Sequence, residues 1–315
     1  MNFLVTGATG FLGVHLTYLL LKEGHDVFAT YRHKYPKDFN NLEGLNLVKF
    51  DVYEDLLDNG SFDGVFHLAA ETHPPTSFSA PYHFFKVNSM GTIKLCRQIE
   101  QRIHNAVFMY CSTSEVYGVW PEDYLITEET PLKPMNPYAV SKAAADMYVQ
   151  EATRNNRLKG FITRAFSHTG PYRGSNYSIS SDAIQIAKII KGQQDPIIKV
   201  GNLKSKRVVM DVREVADVYY QLMIKYLSGE MKDGEIFNIC GDGLHEIGYF
   251  LDLMLDLYNI KHIVSFEIDE KLYRPIDIPV QNPDSSKVRS FLNWKPSIPI
   301  EKTLKDLVEY WLERV

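Results

Sequence analysis

The chain is poor in cysteine and contains no Lys/Arg-rich block. Its three cysteines, Cys96, Cys111 and Cys240, are odd in number and lie in apolar segments. We therefore expect buried free thiols in a reducing compartment rather than a disulfide framework. The formal net charge of -5 and the pI near 6.1 argue against a nucleic-acid-binding surface.

Long hydrophobic runs are also missing. No apolar stretch approaches the roughly 18 residues that a membrane span needs, and a glycine turn that begins at Gly7 leaves no place for a signal peptide. We therefore expect a cytoplasmic protein without a membrane partner. Its 315 residues, 45% hydrophobic and 23% charged, are typical of a globular protein with a large core.

Three regularly spaced glycines, Gly7, Gly10 and Gly13, follow the first apolar segment. Residues Asn2–Thr6 predict a strand, and an amphipathic stretch from Phe11 predicts a helix. Because glycine has no Cβ, the turn between them lets the backbone approach a pyrophosphate, whose charge the helix N-terminus favours. The pattern predicts a dinucleotide-binding turn, with a plain structural turn as the alternative.

Short β-branched runs alternate with helical periodicity over the first two thirds of the chain. This alternation predicts an α/β fold with a Rossmann-like, doubly wound parallel sheet, whose ligands bind at the carboxyl ends of the strands. The predicted strands are Asn2–Thr6, Asp26–Thr30, Leu47–Asp51, Gly64–Leu68, Ala106–Cys111, Gly160–Arg164 and Glu235–Cys240.

The alternation loosens near Ser167 into segments rich in Gly, Pro, Ser and Tyr, and helical periodicity returns at Arg213–Leu227. We expect residues 1–166 to form a dinucleotide-binding domain, to which residues 207–242 return. We expect residues 167–206 and 243–315 to form a smaller α/β substrate-binding lobe.

A tyrosine and a lysine, Tyr138 and Lys142, stand four residues apart in a predicted helix. This spacing brings both side chains to one helix face. Because a nearby ammonium favours the phenolate, the pair predicts a proton relay. A packed tyrosine beside a solvated lysine is the alternative. The preceding predicted strand ends in the hydroxyl and carboxylate cluster Ser112–Gly118, where a ligand is expected.

The chain resembles the extended short-chain dehydrogenases/reductases over nearly its whole length. The resembling motifs lie at Thr6–Gly13, His67–Ala70, Val87–Thr92, Ser112–Gly118, Asn136–Lys142, Arg164–Pro171, Val200–Leu203 and Tyr273–Asp277. Among the nucleotide-sugar dehydratases, reductases and epimerases of that family, the chain most resembles the GDP-mannose 4,6-dehydratase and GDP-4-keto-6-deoxymannose reductase branch.

The resemblance implies roles for the cluster and the pair. Thr113 would hydrogen-bond the sugar, Tyr138 would carry the O4 proton, and Lys142 would lower the tyrosine pKa and hold the ribose. Glu115 would remove the C5 proton, and Ser114 or Glu115 would assist departure of the 6-hydroxyl. These roles predict a 4,6-dehydratase. The alternatives are a 4-keto reductase, an epimerase and a non-catalytic dinucleotide-binding protein, and the intact catalytic set counts against the last.

Two segments resemble the reductases rather than the dehydratases. The connection between Arg32 and Leu47 is shorter than the arm of many GDP-mannose dehydratases, and residues 274–279 resemble those of the reductases at least as closely. A reductase therefore stays the principal alternative.

The predicted cofactor is NADP, with NAD as the alternative. The end of the second strand carries Arg32 and no acidic residue, which favours a 2′-phosphate over a free 2′-hydroxyl. The resemblance implies that Asp51 contacts the adenine and that His168 lies beside the nicotinamide. The remaining cofactor contacts that it implies are Gly7, Thr9, Gly10, Phe11, Leu12, Gly13, Val52, Leu68, Ala69, Ala70, Tyr138 and Lys142.

The predicted substrate is a nucleotide-diphosphate sugar, and the resemblance implies that the nucleotide is GDP. Arg207 and Arg274 are candidate diphosphate ligands because a guanidinium offers two donors to an anion. The resemblance puts Asn202 beside the nucleotide, and Thr72 is a further candidate. Ser167 stands where relatives commonly have asparagine, which changes the contact with substrate.

Three further expectations concern the surroundings of the site. Pro74–Ser77 predicts a rigid loop beside the sugar pocket. No metal site is predicted, because His67, His73 and His83 lack companions at ligand spacing. Helices near Val87 and Tyr138 pair across subunits in the resembling family, which implies a homodimer or tetramer.

Overall fold

The computed structural model describes residues 1–56, 60–103, 105–273 and 276–315. Their strands are β1 (Asn2–Thr6), β2 (Asp26–Tyr31), β3 (Leu45–Lys49), β4 (Gly64–His67), β5 (Val107–Cys111), β6 (Gly160–Ala165), β7 (His168–Thr169), β8 (Ile197–Val200), β9 (Lys206–Val208), β10 (Met210–Asp211), β11 (Ile236–Ile239), β12 (Leu244–Glu246) and β13 (Ser265–Ile268).

The α-helices alternate with these strands in the first part of the chain. They are α1 (Phe11–Lys22), α2 (Pro74–Ser79), α3 (Pro81–Phe84), α4 (Thr92–Arg102), α5 (Pro137–Arg154), α6 (Ser178–Ile190), α7 (Val212–Leu227), α8 (Ile247–Leu257), α9 (Ser286–Leu292) and α10 (Ile300–Leu312). Short 3₁₀ segments cover Lys37–Asn41, Ser114–Tyr117 and Glu270–Leu272, and a π-helical segment, Phe85–Gly91, joins α3 to α4. No helix in the described ranges is both long and apolar enough to span a membrane.

A seven-stranded parallel sheet forms the centre, in the order β11-β6-β5-β4-β1-β2-β3. From β1 the chain first winds outward to β3 and then crosses back to β4 on the other side. Strands β1 and β4 are therefore neighbours although β2 and β3 lie between them in sequence. In a doubly wound sheet, this reversal opens a ligand-binding crevice at the carboxyl ends of the strands.

Both faces of the sheet are covered, as the continuous apolar strands predict. Successive residues of β1 point to opposite faces. Phe3 and Val5 join the core that includes α1 and α7, whereas Leu4 joins the core that includes α4 and α5. The predicted Rossmann-like, doubly wound fold is confirmed.

All seven predicted strands are present, with bounds that differ by at most two residues. The prediction for β3 ran too far, to Asp51, because that residue starts a turn. Its Oδ1 accepts hydrogen bonds from the backbone N–H groups of Tyr53 and Glu54, at 2.8 and 3.1 Å. The predicted rigid loop at Pro74–Ser77 was also wrong, since it forms the start of α2. Proline fits the first turn of a helix, whose N–H groups need no intrahelical partner.

A third apolar cluster lies beyond the sheet. Helices α6, α8 and α10 pack together here, with Ile179, Phe250 and Leu304 among their buried side chains. The small parallel pair β8–β13 lies beside them. The domain boundaries expected at residues 166, 206 and 242 stay predictions.

Candidate active site

A cleft of about 1020 Å³ extends from the glycine turn to the α6–α8 region. It brings together most of the residues singled out in the sequence. Those that line it are Gly7, Thr9, Gly10, Phe11, Leu12, Gly13, Arg32, Asp51, Val52, Leu68, Ala69, Ala70, Thr72, Thr113, Ser114, Glu115, Tyr138, Ser167, His168, Asn202 and Arg207. Lys142 is buried behind this lining, and Arg274 lies outside the described residues. The roles predicted for them stay predictions.

The glycine turn is closed by backbone packing. Gly7 has a φ of +71°, and a Cβ there would lie 2.7 Å from the Ala69 nitrogen. A Cβ on Gly13 would lie 2.2 Å from the Gly7 oxygen. Gly10 is the N-cap of α1, and no side chain in the described ranges caps it. The uncapped helix end beside the cleft fits the pyrophosphate of a dinucleotide.

The carboxylate of Glu115 is held at the end of β5 by the start of α5. Asn136 is the N-cap of α5, and its Oδ1 accepts a hydrogen bond from the Ala139 N–H at 2.8 Å. Its Nδ2 donates to Glu115 Oε2 at 2.6 Å. On the other side, the Glu115 N–H donates to Thr113 Oγ1 at 3.3 Å. One capping residue therefore starts the helix and orients the carboxylate.

Tyr138 and Lys142 both lie on α5, as predicted, and both are buried. Burial raises the pKa of Tyr138, and a hydrogen bond with Thr113 lowers it less. Burial lowers the pKa of Lys142 to about 8, and its Nζ donates to the Cys111 carbonyl at 2.6 Å. Burial therefore dominates the pKa of Tyr138, and the expectation that Lys142 lowers the pKa of this tyrosine stays a prediction.

Arg32 is half-exposed at the rim of the cleft and forms an ion pair. Its Nη2 lies 3.0 Å from Glu71 Oε1, and His83 Nε2 approaches the same oxygen at 3.3 Å. The Glu71 backbone is tied to Asn88 of the π-helical segment by hydrogen bonds of 2.8 and 3.0 Å. An anion that binds Arg32 therefore has to compete with a positioned carboxylate.

Two other predicted cofactor contacts carry shifted pKa values. Burial raises the pKa of Asp51, but the backbone hydrogen bonds described above outweigh it and leave the pKa below its ordinary value. His168 stacks on Phe11 with ring centroids 5.6 Å apart. Burial lowers the pKa of His168 to about 4, so its imidazole is neutral at physiological pH.

At the far end of the cleft, hydrogen bonds join polar side chains from segments that are distant in sequence. Asn202 Nδ2 and Ser205 Oγ donate to Asp277 Oδ2 at 2.9 and 2.6 Å. Arg207 Nη1 and Nη2 donate to the carbonyls of Lys206 and Ile278, at 2.8 and 2.6 Å. Much of the hydrogen-bonding capacity of Arg207 thus supports the backbone, which weakens its case as a free diphosphate ligand.

The family model that describes GDP-mannose 4,6 dehydratases matches residues 4–307. The chain belongs to this family. The prediction of an extended short-chain dehydrogenase/reductase is confirmed. At the level of the family, the predicted class of enzyme is confirmed as well, a nicotinamide-dependent enzyme of nucleotide sugars.

Proteins similar to this chain are named for both reactions considered above, reduction of a 4-keto sugar and 4,6-dehydration. The chain is 30% identical to the GDP-6-deoxy-D-mannose reductase of Pseudomonas aeruginosa, over 99% of this chain and 97% of the relative. It is also 30% identical to GDP-mannose 4,6 dehydratase 1 of Arabidopsis thaliana, over 98% of this chain and 89% of the relative. The structure of RMD from Pseudomonas aeruginosa complexed with NADPH superposes with a TM-score of 0.82 at 27% identity, covering 99% of each chain.

Several residues of this family member's cleft were missed in the sequence. Tyr177, just before α6, exchanges a 2.8 Å hydrogen bond with Thr72 Oγ1, and the Arg173 guanidinium lies 3.4 Å from the Tyr177 ring centroid. Gln281 contacts Ser114 Oγ at 3.4 Å across a long sequence separation. The Tyr-rich composition after Ser167 was the available signal for Tyr177, whereas nothing local marks Gln281. No group of three or more His, Cys, Asp and Glu side chains in the described ranges could hold a metal ion.

Proposed function

We propose that this protein modifies a GDP-linked sugar as a 4,6-dehydratase. The observation that carries the proposal is the Glu115 carboxylate, held by Asn136 at the cleft beside Thr113 and Tyr138. A dehydratase needs a base for the C5 proton next to the group that takes the O4 proton. This cluster supplies both kinds of group.

Each residue of the cluster has a defined task in this proposal. Thr113 hydrogen-bonds the sugar at O4, and Tyr138 takes the proton from O4. The ketone formed at C4 acidifies C5, whose proton Glu115 takes. Ser114 or Glu115 then donates a proton to the departing 6-hydroxyl, so that water leaves. The ammonium of Lys142 supports the tyrosine from behind the cleft lining.

The cofactor in this proposal is NADP, with NAD as the alternative. When bound, it would supply the hydride acceptor for C4 and the hydride donor for C6. Gly7, Gly10 and the first turn of α1 would hold the pyrophosphate, and Arg32 would contact the 2′-phosphate in place of Glu71. The relative of known structure that is named as complexed with NADPH supports this choice.

A second candidate is an NADPH-dependent reductase of a GDP-4-keto-6-deoxy sugar. The observation that favours it is coverage, since the chain spans 97% of the bacterial reductase but 89% of the plant dehydratase. The short connection from Arg32 to Leu45, which contains only the 3₁₀ segment Lys37–Asn41, agrees with this shorter architecture. The reductase would use Thr113, Tyr138 and Lys142 without proton removal at C5.

Incubation of the protein with GDP-mannose in deuterated buffer distinguishes the two candidates. The reaction is run first without added cofactor and then with NADP, and products are followed by mass spectrometry. Loss of water together with one deuterium gained at C5 supports the dehydratase. Unchanged GDP-mannose, together with NADPH oxidation by GDP-4-keto-6-deoxymannose, contradicts the dehydratase and supports the reductase.

We also propose a homodimer built on α5 and the helical stretch from α3 to α4. Val140 and Met147, seven residues apart on one face of α5, are 39% and 61% exposed, and Tyr82 and Met90 on the neighbouring stretch are 80% and 51% exposed. Such an apolar patch suits a symmetric contact between copies.

Met147→Glu should shift the mass measured by light scattering from dimer to monomer, whereas Ile263→Glu, on an exposed site elsewhere, should not. A monomeric parent protein would contradict the proposal, and a tetramer would extend it.

Two further assignments complete the proposal. Residues 1–166 and 207–242 would form the dinucleotide-binding domain, and residues 167–206 and 243–315 the substrate-binding lobe. The free cysteines, Cys96, Cys111 and Cys240, support a reducing compartment such as the cytoplasm.

A further inference from the structure

Gln281 is a buried polar side chain at the cleft that the proposed catalytic cluster does not include. It is 3% exposed and lines the cleft. The Lys206 N–H donates to the Pro279 carbonyl at 2.7 Å, and the Gln281 N–H donates to the Lys206 carbonyl at 3.2 Å. On the other side, the Ile126 N–H donates to the Asn282 carbonyl at 2.8 Å. Two segments that are distant in sequence therefore fix the backbone that carries this side chain.

The Gln281 amide group faces Ser114 at the end of β5. Its Nε2 donates to the Ser114 carbonyl oxygen, and Ser114 Oγ donates to its Oε1, both at 3.4 Å. Because a carbonyl oxygen can only accept, the nitrogen end of the amide has to face the Ser114 carbonyl. The amide oxygen then lies beside Oγ, and this oxygen also only accepts. Gln281 thereby directs the proton of the Ser114 hydroxyl group towards itself.

A serine hydroxyl group that is oriented in this way can accept a hydrogen bond from a ligand. Its one proton is directed to Gln281, which leaves its lone pairs for a donor. Ser114 lines the cleft. Its exposed fraction of 5% is close to the 9% of Thr113 and the 8% of Tyr138, the two groups that meet O4 in the proposed function.

The position of Ser114 in the cluster indicates which sugar hydroxyl it meets. It stands between Thr113, which serves O4 in the proposed function, and Glu115, which serves the proton on C5. The substituent of C5 outside the ring is C6. The hydroxyl group nearest to both of these tasks is therefore the one on C6.

We propose that Gln281 is a positioning residue that makes the Ser114 hydroxyl group an acceptor for the 6-hydroxyl of the sugar. The inference rests on the proposed function and names the pair of residues that distinguishes a 6-hydroxy sugar from a 6-deoxy sugar.

The orientation of Ser114 also decides which group protonates the departing 6-hydroxyl. Because the Ser114 proton is directed to Gln281, the proton comes from Glu115, which has taken it from C5. The electron pair of the C5–H bond forms the C5–C6 double bond as the C6–O bond breaks, and water leaves. Glu115 is then a carboxylate again.

Calorimetric binding of paired sugar nucleotides tests the inference apart from turnover. GDP-mannose, GDP-6-deoxymannose and GDP-3-deoxymannose are titrated into protein saturated with NADPH or NADH, neither of which can accept hydride. The variants are Gln281→Met, Gln281→Leu, Ser114→Ala and the double variant Gln281→Met with Ser114→Ala. Gln221→Met is the matched control, because Gln221 bonds to Asp217 on α7 and lies outside the cleft lining.

The parent protein should bind GDP-mannose about 3- to 10-fold more tightly than GDP-6-deoxymannose, as one neutral hydrogen bond allows. Gln281→Met and Gln281→Leu should bring this ratio close to one by weakening GDP-mannose alone, and Ser114→Ala should do the same. The double variant should show no further loss, because Gln281 acts through Ser114. Gln221→Met should keep the parent ratio.

One result would contradict the proposed substrate without overturning the role of Gln281. A parent protein that binds UDP-glucose but not GDP-mannose would contradict the GDP-linked substrate. The ratio of affinities for UDP-glucose and UDP-6-deoxyglucose would then test Gln281 in the same way.

Other results would overturn the role of Gln281 itself. Equal affinity of the parent for GDP-mannose and GDP-6-deoxymannose would contradict recognition of the 6-hydroxyl, and weaker binding of GDP-3-deoxymannose alone would assign Ser114 to another hydroxyl. Additive losses in the double variant would show that Gln281 does not act through Ser114. Equal weakening of all three ligands in both Gln281 variants would show a structural role only.

Discussion

The two ends of the cleft are built in different ways. At the glycine turn, backbone atoms pack directly against one another, and a Cβ on Gly13 would overlap the Gly7 oxygen. At the far end, Asn202, Ser205 and Asp277 meet through side chains drawn from distant segments. The first end therefore tolerates few sequences, whereas the second can change its ligand by exchanging single side chains. Between them lies the cluster of Thr113, Glu115 and Tyr138.

The largest effect on turnover is expected in that cluster, which lies between the two ends of the cleft. Tyr138→Phe should lower turnover by a factor on the order of 100 or more, because the O4 proton loses its acceptor. Cofactor binding should change little, since the ring and its packing remain. Steady-state kinetics and cofactor titration measure the two effects, with Tyr220→Phe, outside the cleft lining, as the control. Unchanged turnover would remove the proton relay from the mechanism.

Glu115→Gln should separate the reactions that the two relatives represent. In a dehydratase, exchange of the C5 proton with solvent should fall by about 100-fold, because an amide is no base. Reduction of a 4-keto sugar nucleotide should stay largely intact. Deuterium incorporation and NADPH oxidation are the readouts, and Glu129→Gln, exposed and outside the cleft lining, is the control. Equal loss of both activities would assign Glu115 a positioning role.

Gly13→Ala tests whether the glycine turn requires the close backbone contact between Gly13 and Gly7. The added Cβ would lie 2.2 Å from the Gly7 oxygen, so the turn must shift, at a cost of about 1–3 kcal/mol in the free energy of unfolding. Cofactor affinity should fall as well. Gly248→Ala is the matched control, because that helical glycine leaves its Cβ at an ordinary 3.4 Å from Leu203. Denaturant unfolding gives the comparison, and equal stability of Gly13→Ala and the parent would contradict a tight turn.

The smallest predicted effect concerns the choice between NADP and NAD. Arg32→Ala should weaken NADP binding by about 10-fold and NAD binding much less, since it removes one charge-assisted contact to the 2′-phosphate. Glu71→Gln should act in the opposite direction, because it removes the carboxylate that now pairs with Arg32. Titration of both cofactors measures the ratio. Equal weakening of NADP and NAD in Arg32→Ala would contradict the 2′-phosphate contact.

Local patterns in the sequence determined the sheet, the glycine turn and the Tyr138–Lys142 pair. Strand alternation, glycine spacing and helix periodicity act over a few residues, so β1 could be predicted with its observed bounds and α1 from its observed start, and α5 contains both members of the predicted pair. The resemblance to a known family, carried by the same motifs, pointed to the chemistry.

Only the tertiary structure decided which of these side chains are buried and which charged groups pair with one another. Burial raises the pKa of Tyr138, Glu71 pairs with Arg32, and no described residue donates a hydrogen bond to the buried Oδ2 of Asp182. These features depend on which segments pack against one another across long sequence separations. Desolvation and pairing are set by that packing, and no local pattern of residues encodes them.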